Sequence, residues 1–175
     1  GIALEFIPGK YKELTGDKSA MDAIIRFVDT NDKDGFIAVE TKYSENLGTN
    51  VAYDRDDNGN KIPRRQTLKA VEELCRFMPD VEQRIMTGDT PLTQIYRNFL
   101  LSEMYGFYEG IQSYSIILAP EKHPTTKDEL RSLTIGLRDE YKERVKSMNL
   151  EDFAYLDDDR WYIDPNVSLG EQNAF

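Results

Sequence analysis

The chain has one cysteine, Cys75, and one histidine, His123, among its 175 residues. A single cysteine excludes an internal disulfide framework and a cysteine zinc cluster, and it fits a reducing, cytoplasmic compartment. The helical pattern around Cys75 predicts that it is a small buried residue. A single histidine excludes histidine-rich zinc sites. These counts leave carboxylates as the metal-ligating side chains to examine.

Long apolar runs are also missing. No stretch approaches the ~20 apolar residues that span a bilayer, and no charged-then-apolar leader opens the sequence. The chain begins at Gly1 rather than methionine, which is consistent with a missing upstream piece or a residual tag residue. No repeat or linker divides it, and its length suits one core. We therefore expect a single domain over residues 1–175 that does not enter a membrane.

Positive charge is scarce, because 22 basic residues face 32 acidic ones and the net charge is −10. This balance is unfavourable for a polyanionic partner. The excess of acidic residues is unevenly distributed. Residues 1–65 hold ten basic and twelve acidic residues, whereas residues 66–175 hold twelve basic and twenty acidic residues. The first part therefore offers basic side chains for phosphates, or for an ordinary solvated surface: Lys10, Lys12, Lys18, Arg55, Lys61, Arg64 and Arg65.

Two β-rich runs flank a polar turn, closed by Gly35, between residues 19 and 45. This pattern predicts a β-hairpin. Side chains alternate along a strand, so Glu40 and Lys42 of the second run share a face, about 6.6 Å apart at the backbone. A turn centred near Asn31 places Asp22 opposite residues 41–43. Only an even-numbered partner brings Asp22 to the face of Glu40, within roughly 5–8 Å of both residues.

Two acids and a lysine on adjacent strands predict a metal site with a proton-handling neighbour. Asp22 and Glu40 suit Mg²⁺, a hard cation that prefers oxygen ligands, and Mn²⁺ is expected to substitute for it. The backbone carbonyl of Thr41 offers a third oxygen. Lys42 would orient a water molecule or take a proton from it. This set suits hydrolysis of a phosphodiester bond.

Acid-x-Lys is a weak signal by itself, and the chain holds a second copy at Glu140-Tyr141-Lys142. That copy lies in a stretch predicted to be helical, where its acid and lysine are about 200° apart and diverge. The first copy lies in a strand with Asp22 one hairpin arm away. Spacing alone leaves two interpretations open, a metal site and a solvated sheet face with a cross-strand ion pair.

The sequence resembles the PD-(D/E)XK nuclease superfamily, and in particular a bacterial branch of it. Three segments carry the resemblance: Phe6-Ile-Pro-Gly-Lys-Tyr, then Leu14-Thr-Gly-Asp-Lys-Ser-Ala-Met-Asp22-Ala, then Gly35-Phe-Ile-Ala-Val-Glu40-Thr-Lys42-Tyr. A fourth similar segment is Gln94-Ile-Tyr-Arg97-Asn-Phe-Leu-Leu. The resemblance implies that Asp22 and Glu40 bind the metal and that Lys42 is catalytic. It also favours Gln94 and Arg97, three apart on one helix, as supporting site residues.

The fold expected from this reading is α/β and restriction-endonuclease-like: a central mixed β-sheet built on the hairpin, with helices on both faces. Hydrophobic periodicity and turn residues place the remaining elements. We predict strands over 3–7 and 113–119, helices over 67–78, 80–86, 91–105 and 126–148, polar loops over 9–19 and 44–66, and an edge strand over 153–156. Thr67 is the expected N-cap of its helix, and the aromatic residues at 161–163 are expected to dock on the core.

The expected function is a Mg²⁺-dependent nuclease acting on DNA, with Lys10, Lys12, Lys18, Lys61, Arg64 and Arg65 on the nucleic-acid backbone. Two other classes stay open. One is a nuclease-fold module that binds nucleic acid or protein without cutting, which the acidic surface favours. The other is a protein of unrelated chemistry. No Gly-rich phosphate loop, Ser-His pair or Cys-His pair in the sequence supports this class. The sequence does not indicate an oligomeric state.

Overall fold

The computed structural model describes residues 1–16, 18–44 and 53–150. In these ranges the strands are β1 (Ile2–Phe6), β2 (Met21–Val28), β3 (Asp34–Thr41), β4 (Tyr53–Arg55), β5 (Lys61–Pro63), β6 (Gln112–Ala119) and β7 (Val145–Asn149). The helices are α1 (Tyr11–Leu14), α2 (Arg65–Leu74), α3 (Pro79–Thr87), α4 (Gln94–Glu109), α5 (Thr126–Gly136) and α6 (Asp139–Lys142). None of these helices has the length and apolarity of a membrane span.

A five-stranded sheet forms the centre of the fold, in the order β1-β2-β3-β6-β7. β1, β2 and β3 pair antiparallel, whereas β6 joins β3 and β7 joins β6 in parallel. The mixed sheet and its flanking helices confirm the predicted α/β restriction-endonuclease-like fold. The predicted hairpin is β2–β3. Its turn is closed by the Asp29 carboxylate, which accepts the N–H groups of Asn31 and Lys33.

Helix α4 packs across β3 and β6 and forms the middle of the core. Its Phe99 and Leu100 are fully buried, as is Phe36 on β3. Gly106 permits this approach, because a Cβ there would lie 2.8 Å from the Cβ of Ser113 on β6. Helices α1, α2 and α5 pack on α4, and α3 packs on α2. These four helices therefore pack on α4 directly or, in the case of α3, through α2.

Two predicted helix boundaries are wrong. The helix expected to run to Met78 ends at Leu74, where Cys75 takes a left-handed conformation with φ 50°. Cys75 is consequently exposed rather than buried. Pro79 begins α3 instead of ending α2, as its missing N–H allows. Thr67 is not the N-cap but lies inside the first turn of α2, where its hydroxyl donates to the Thr15 carbonyl at 3.0 Å.

The long helix predicted over 126–148 is also wrong. The chain leaves α5 at Gly136, and Leu137 forms a bridge to Phe77. Short α6 follows, and the last part is the strand β7 on the edge of the sheet. Pairing with β6 therefore overrides the local helical pattern. Loop 9–19 contains α1, loop 44–66 contains the β4–β5 hairpin, and the predictions for 153–156 and 161–163 lie outside the described residues.

A buried ion cluster joins α4 to the elements around it. The Glu103 carboxylate, 1% exposed, accepts Arg76 Nε at 2.6 Å and the Ser113 hydroxyl at 2.5 Å, and Arg144 Nη1 lies 3.4 Å away. Arg76 also stacks on the Tyr141 ring, at 4.2 Å from its centroid. A carboxylate so deeply buried depends on its partners, because an uncompensated charge in the interior is costly.

We expect Arg76→Ala to lower the free energy of unfolding by about 3 kcal/mol, near the lower end for a broken buried pair because Arg144 and Ser113 remain. Arg84→Ala is the matched control. It breaks an exposed helical pair with Asp80 at 3.7 Å and should cost less than about 0.5 kcal/mol. Urea unfolding of both variants measures the difference, and equal losses would contradict the structural role of the cluster.

Candidate active site

Glu40 and Lys42 come together at the end of the central strand. Glu40 is the penultimate residue of β3, and Lys42 stays aligned beside β6 because its N–H donates to the Leu118 carbonyl at 2.7 Å. Lys42 Nζ lies 2.7 Å from Glu40 Oε1, and both side chains are about nine-tenths buried. Glu40 and Lys42 are two residues apart and therefore share a face of the sheet. They form an ion pair that is shielded from solvent.

Asp22 lies beside this pair on β2. The register places Ala23 opposite Val39, and its continuation brings Asp22 to Glu40, an even-numbered partner one position short of the expected range. Asp22 Oδ2 accepts both the N–H and the hydroxyl of Thr41, each at 2.6 Å. Because this N–H directly follows Glu40, the Asp22 carboxylate lies within about 5 Å of the Glu40 Cα.

Helix α4 contributes the next contact through its first residue. Gln94 Nε2 donates to Glu40 Oε1 at 2.8 Å, so this oxygen accepts from both Gln94 and Lys42. Arg97, one turn later and 8% exposed, donates through Nη1 to the Leu92 carbonyl at 3.3 Å. The structure thus brings Gln94 directly to Glu40 and fixes one arm of Arg97 on the chain segment that leads into α4.

The donor set suits a hard divalent cation. The carboxylates of Asp22 and Glu40 and the carbonyl of Thr41 all offer oxygen, which Mg²⁺ prefers. Within the described ranges, no three His, Cys, Asp or Glu side chains cluster as a metal site. Mg²⁺ commonly binds through one or two carboxylates and substrate phosphates. The residues present therefore fit Mg²⁺ better than a cation that needs a complete protein cage.

The predicted phosphate-binding residues are scattered. Lys10 contacts the Tyr108 hydroxyl near the far end of α4, about 21 Å from Gln94 along the helix axis. Lys18 is exposed in the segment just before Asp22. The others are Lys12, exposed on α1; Lys61, exposed on β5; Arg64, whose Nη1 donates to the Gly16 carbonyl at 3.2 Å; and Arg65, exposed at the start of α2.

Sequence reasoning missed the second role of Thr41. The sequence predicts a role only for its carbonyl, yet its N–H and its hydroxyl hold the Asp22 carboxylate. No sequence signal distinguishes this threonine from any other β-branched residue in a strand. The contact arises because β2 and β3 stop pairing at Ala23 and Val39, which leaves the Thr41 N–H to a side chain.

A family model described as the PD-(D/E)XK nuclease superfamily matches residues 1–158. Searches of curated proteins and of solved structures give no match. The match covers the strand end with Glu40 and Lys42, the Asp22 strand and helix α4 with Gln94 and Arg97.

Proposed function

This chain belongs to the PD-(D/E)XK nuclease superfamily, and from that premise we propose that it is a Mg²⁺-dependent nuclease that hydrolyses phosphodiester bonds in DNA. We propose a single catalytic domain, active with Mn²⁺ as well and located in the cytoplasm. Membership supports a nuclease-type function. The metal, the substrate and the roles of the residues are our inference.

One observation carries the proposal: Glu40 Oε1 accepts both Lys42 Nζ and Gln94 Nε2 in a buried corner beside Asp22. A structural ion pair needs neither a second acid nor an amide from a helix. An acid held by two donors is instead fixed in position, which is what a metal ligand or a catalytic group requires. Burial also strengthens the electrostatic interactions of every charge at this point.

A divalent ion would be held by Asp22, Glu40 and the Thr41 carbonyl. Such an ion, when bound, supplies Lewis acidity, which lowers the pKa of water and neutralises charge on a phosphate. The protein's contribution is orientation. Thr41 fixes the Asp22 carboxylate through its N–H and hydroxyl, and Gln94 fixes Glu40.

Lys42 is the proposed catalytic residue. Its ammonium can donate three hydrogen bonds, and one is directed to Glu40 Oε1. The other donors can orient the attacking water against a phosphate, and Nζ is the atom at which a proton would be held or received. Arg97 is proposed to stabilise negative charge on the scissile phosphate, and Gln94 to position Glu40 for it.

We further propose that Lys12, Lys18, Lys61, Arg64 and Arg65 contact the nucleic-acid backbone, with Lys10 touching it farther from the cut. Lys18 is closest to the site along the chain, four residues before Asp22. Arg64 also anchors α2 to Gly16, so its removal should affect the local structure as well as binding. The acidic net charge of −10 favours one alternative, a module of the same fold that binds without cutting.

We expect the purified wild type to cut DNA in Mg²⁺ and in Mn²⁺, and chelation with EDTA to stop cleavage completely. Linear and circular duplexes, single-stranded DNA and RNA should be compared on gels. Glu140→Gln is the matched control, because it changes the second acid-x-Lys copy, on α6, and should leave cleavage unchanged. If the wild type binds nucleic acid but cuts none of these substrates, the enzyme proposal is wrong and the binding-module alternative takes its place.

A further inference from the structure

The β4–β5 hairpin is a small ribbon outside the main sheet. Tyr53 pairs with Pro63, Asp54 with Ile62 and Arg55 with Lys61. Its turn is fixed by Asp56, whose carboxylate accepts the N–H groups of Asn58 and Asn60 and the Asn60 side-chain amide. These bonds, with the Asn60 side chain contributing most, lower the pKa of Asp56. The turn therefore holds the ribbon in one register.

The two faces of this hairpin differ in chemistry. Tyr53, Arg55 and Lys61 share one face, because side chains alternate along each strand. Lys61 Nζ lies 4.4 Å from the centroid of the Tyr53 ring, and Arg55 Cζ lies 5.6 Å from it. Tyr53 itself is 40% exposed. This face, which we call the basic-aromatic face, presents two cations and a ring to solvent.

Two of the three acids of the hairpin stabilise its own structure. Asp54 is half-buried on the opposite face, where its Oδ2 accepts the Arg65 N–H at 3.1 Å. Asp56 closes the turn. Arg55 donates one N–H to the Gly59 carbonyl at 2.6 Å, and a guanidinium has five donors. The two exposed cations are therefore available to a partner although the chain as a whole is acidic.

The chain that directly follows the hairpin, at the start of α2, contacts the segment that leads to Asp22. Arg64 Nη1 donates to the Gly16 carbonyl, Gln66 Nε2 donates to the Glu13 carbonyl at 2.5 Å, and Thr67 donates to Thr15. Gly16 precedes Asp22 by six residues, at most about 20 Å of chain. A duplex at the candidate site is long enough to reach the hairpin, since ten base pairs already span about 34 Å.

We propose that the β4–β5 hairpin binds the major groove of duplex DNA, with Arg55 and Lys61 on phosphates and the turn directed at base edges. The proposal rests on the proposed nucleic-acid substrate and makes duplex DNA the preferred form. A major groove about 12 Å wide admits a two-stranded ribbon. The exposed turn residues Asp57 and Asn58 are types that pair with cytosine and adenine edges.

The test is a binding titration in Ca²⁺ on a 20-base-pair duplex and on single-stranded DNA of the same length. We expect the Arg55→Ala/Lys61→Ala double variant to bind the duplex at least 10-fold more weakly, with a salt slope lower by about 1.8 for two lost phosphate contacts. Its affinity for the single strand should change less than 3-fold. Tyr53→Ala should also weaken duplex binding, whereas Tyr53→Phe should keep it.

The control is the Lys33→Ala/Lys146→Ala double variant, which removes the same charge from the β2–β3 turn and from β7. It should bind both DNAs like the wild type. Equal losses on duplex and single strand, losses as large in the control, or no loss at all would each overturn the proposal. Binding is measured in Ca²⁺ without turnover. A wild type that fails to cut therefore contradicts the nuclease assignment, but the titration still tests whether the hairpin binds duplex DNA.

Discussion

Lys42→Arg is expected to reduce Mg²⁺-dependent cleavage by about 10²–10⁴-fold, the usual contribution of a positioned proton-handling group. The positive charge is kept, so a lysine that only balanced Glu40 would tolerate the change. The guanidinium is larger and planar, and it essentially never loses its proton. The Lys42 side chain is about nine-tenths buried and its Nζ lies 2.7 Å from Glu40 Oε1. The arginine guanidinium therefore cannot take the place of the lysine ammonium.

Lys42→Ala should abolish cleavage as well, and the structure adds a cost in stability. Glu40 would lose its counter-charge and keep only the hydrogen bond from the Gln94 amide among these two contacts. The free energy of unfolding should therefore fall by about 3 kcal/mol. Bound Mn²⁺ should restore part of this loss, because it binds the folded form. DNA affinity in Ca²⁺ should change by no more than ~10-fold, about 1.4 kcal/mol.

The control for both variants is Lys142→Ala, in the second acid-x-Lys copy. Lys142 lies on α6 and pairs with Asp139 at 2.6 Å on the surface, so cleavage and stability should stay close to wild type. Cleavage rates on gels and melting curves give the comparison. A Lys42→Arg enzyme that cuts at the wild-type rate would reduce Lys42 to a structural counter-ion.

Glu40→Gln and Asp22→Asn are expected to weaken Mn²⁺ binding by at least the 10–100-fold that loss of an outer-shell partner costs. Each change keeps the shape of the side chain and removes one charge. The wild type should gain about 2.7 kcal/mol of stability at a free Mn²⁺ concentration of 100 times its dissociation constant, and both variants should gain much less. Calorimetric titration and melting curves measure the two effects.

The control for this pair is again Glu140→Gln, which should bind Mn²⁺ like the wild type. Asp22→Asn also tests the contact with Thr41, because one oxygen of the amide can still accept from the Thr41 N–H and hydroxyl. Its fold should therefore persist while metal binding falls. The same weak response to Mn²⁺ in the wild type and in both variants would remove the metal site.

The parts of the fold that sequence reasoning predicted are those with local signals. The β2–β3 hairpin has its own turn and strict alternation, so its face assignment followed from periodicity. The even-numbered partner of Asp22 is a consequence of that alternation. Helix α4 and strand β6 have long apolar patterns, and the structure has both.

What could not be predicted depends on contacts between distant parts of the chain. β7 exists because Val145 and its neighbours pair with β6, and no local pattern reports such pairing. The end of α5 follows from the bridge between Phe77 and Leu137. The distance of Lys10 from Gln94 depends on how α1 docks on α4. The hydrogen bonds from Thr41 to Asp22 form because the β2–β3 pairing ends at Ala23 and Val39, and the sequence does not indicate where that pairing ends.

Diffraction from crystals containing Mn²⁺, recorded at a wavelength where manganese scatters anomalously, is the direct test of the proposed metal site at Asp22 and Glu40. We expect an anomalous peak between the carboxylates of Asp22 and Glu40, close to the Thr41 carbonyl, and we expect Glu40→Gln to lose it. The three acidic residues of the β4–β5 hairpin, Asp54, Asp56 and Asp57, serve as the internal comparison. A peak at that turn with none at Glu40, or no peak at all, would contradict the assignment of the strand end as a metal-dependent active site.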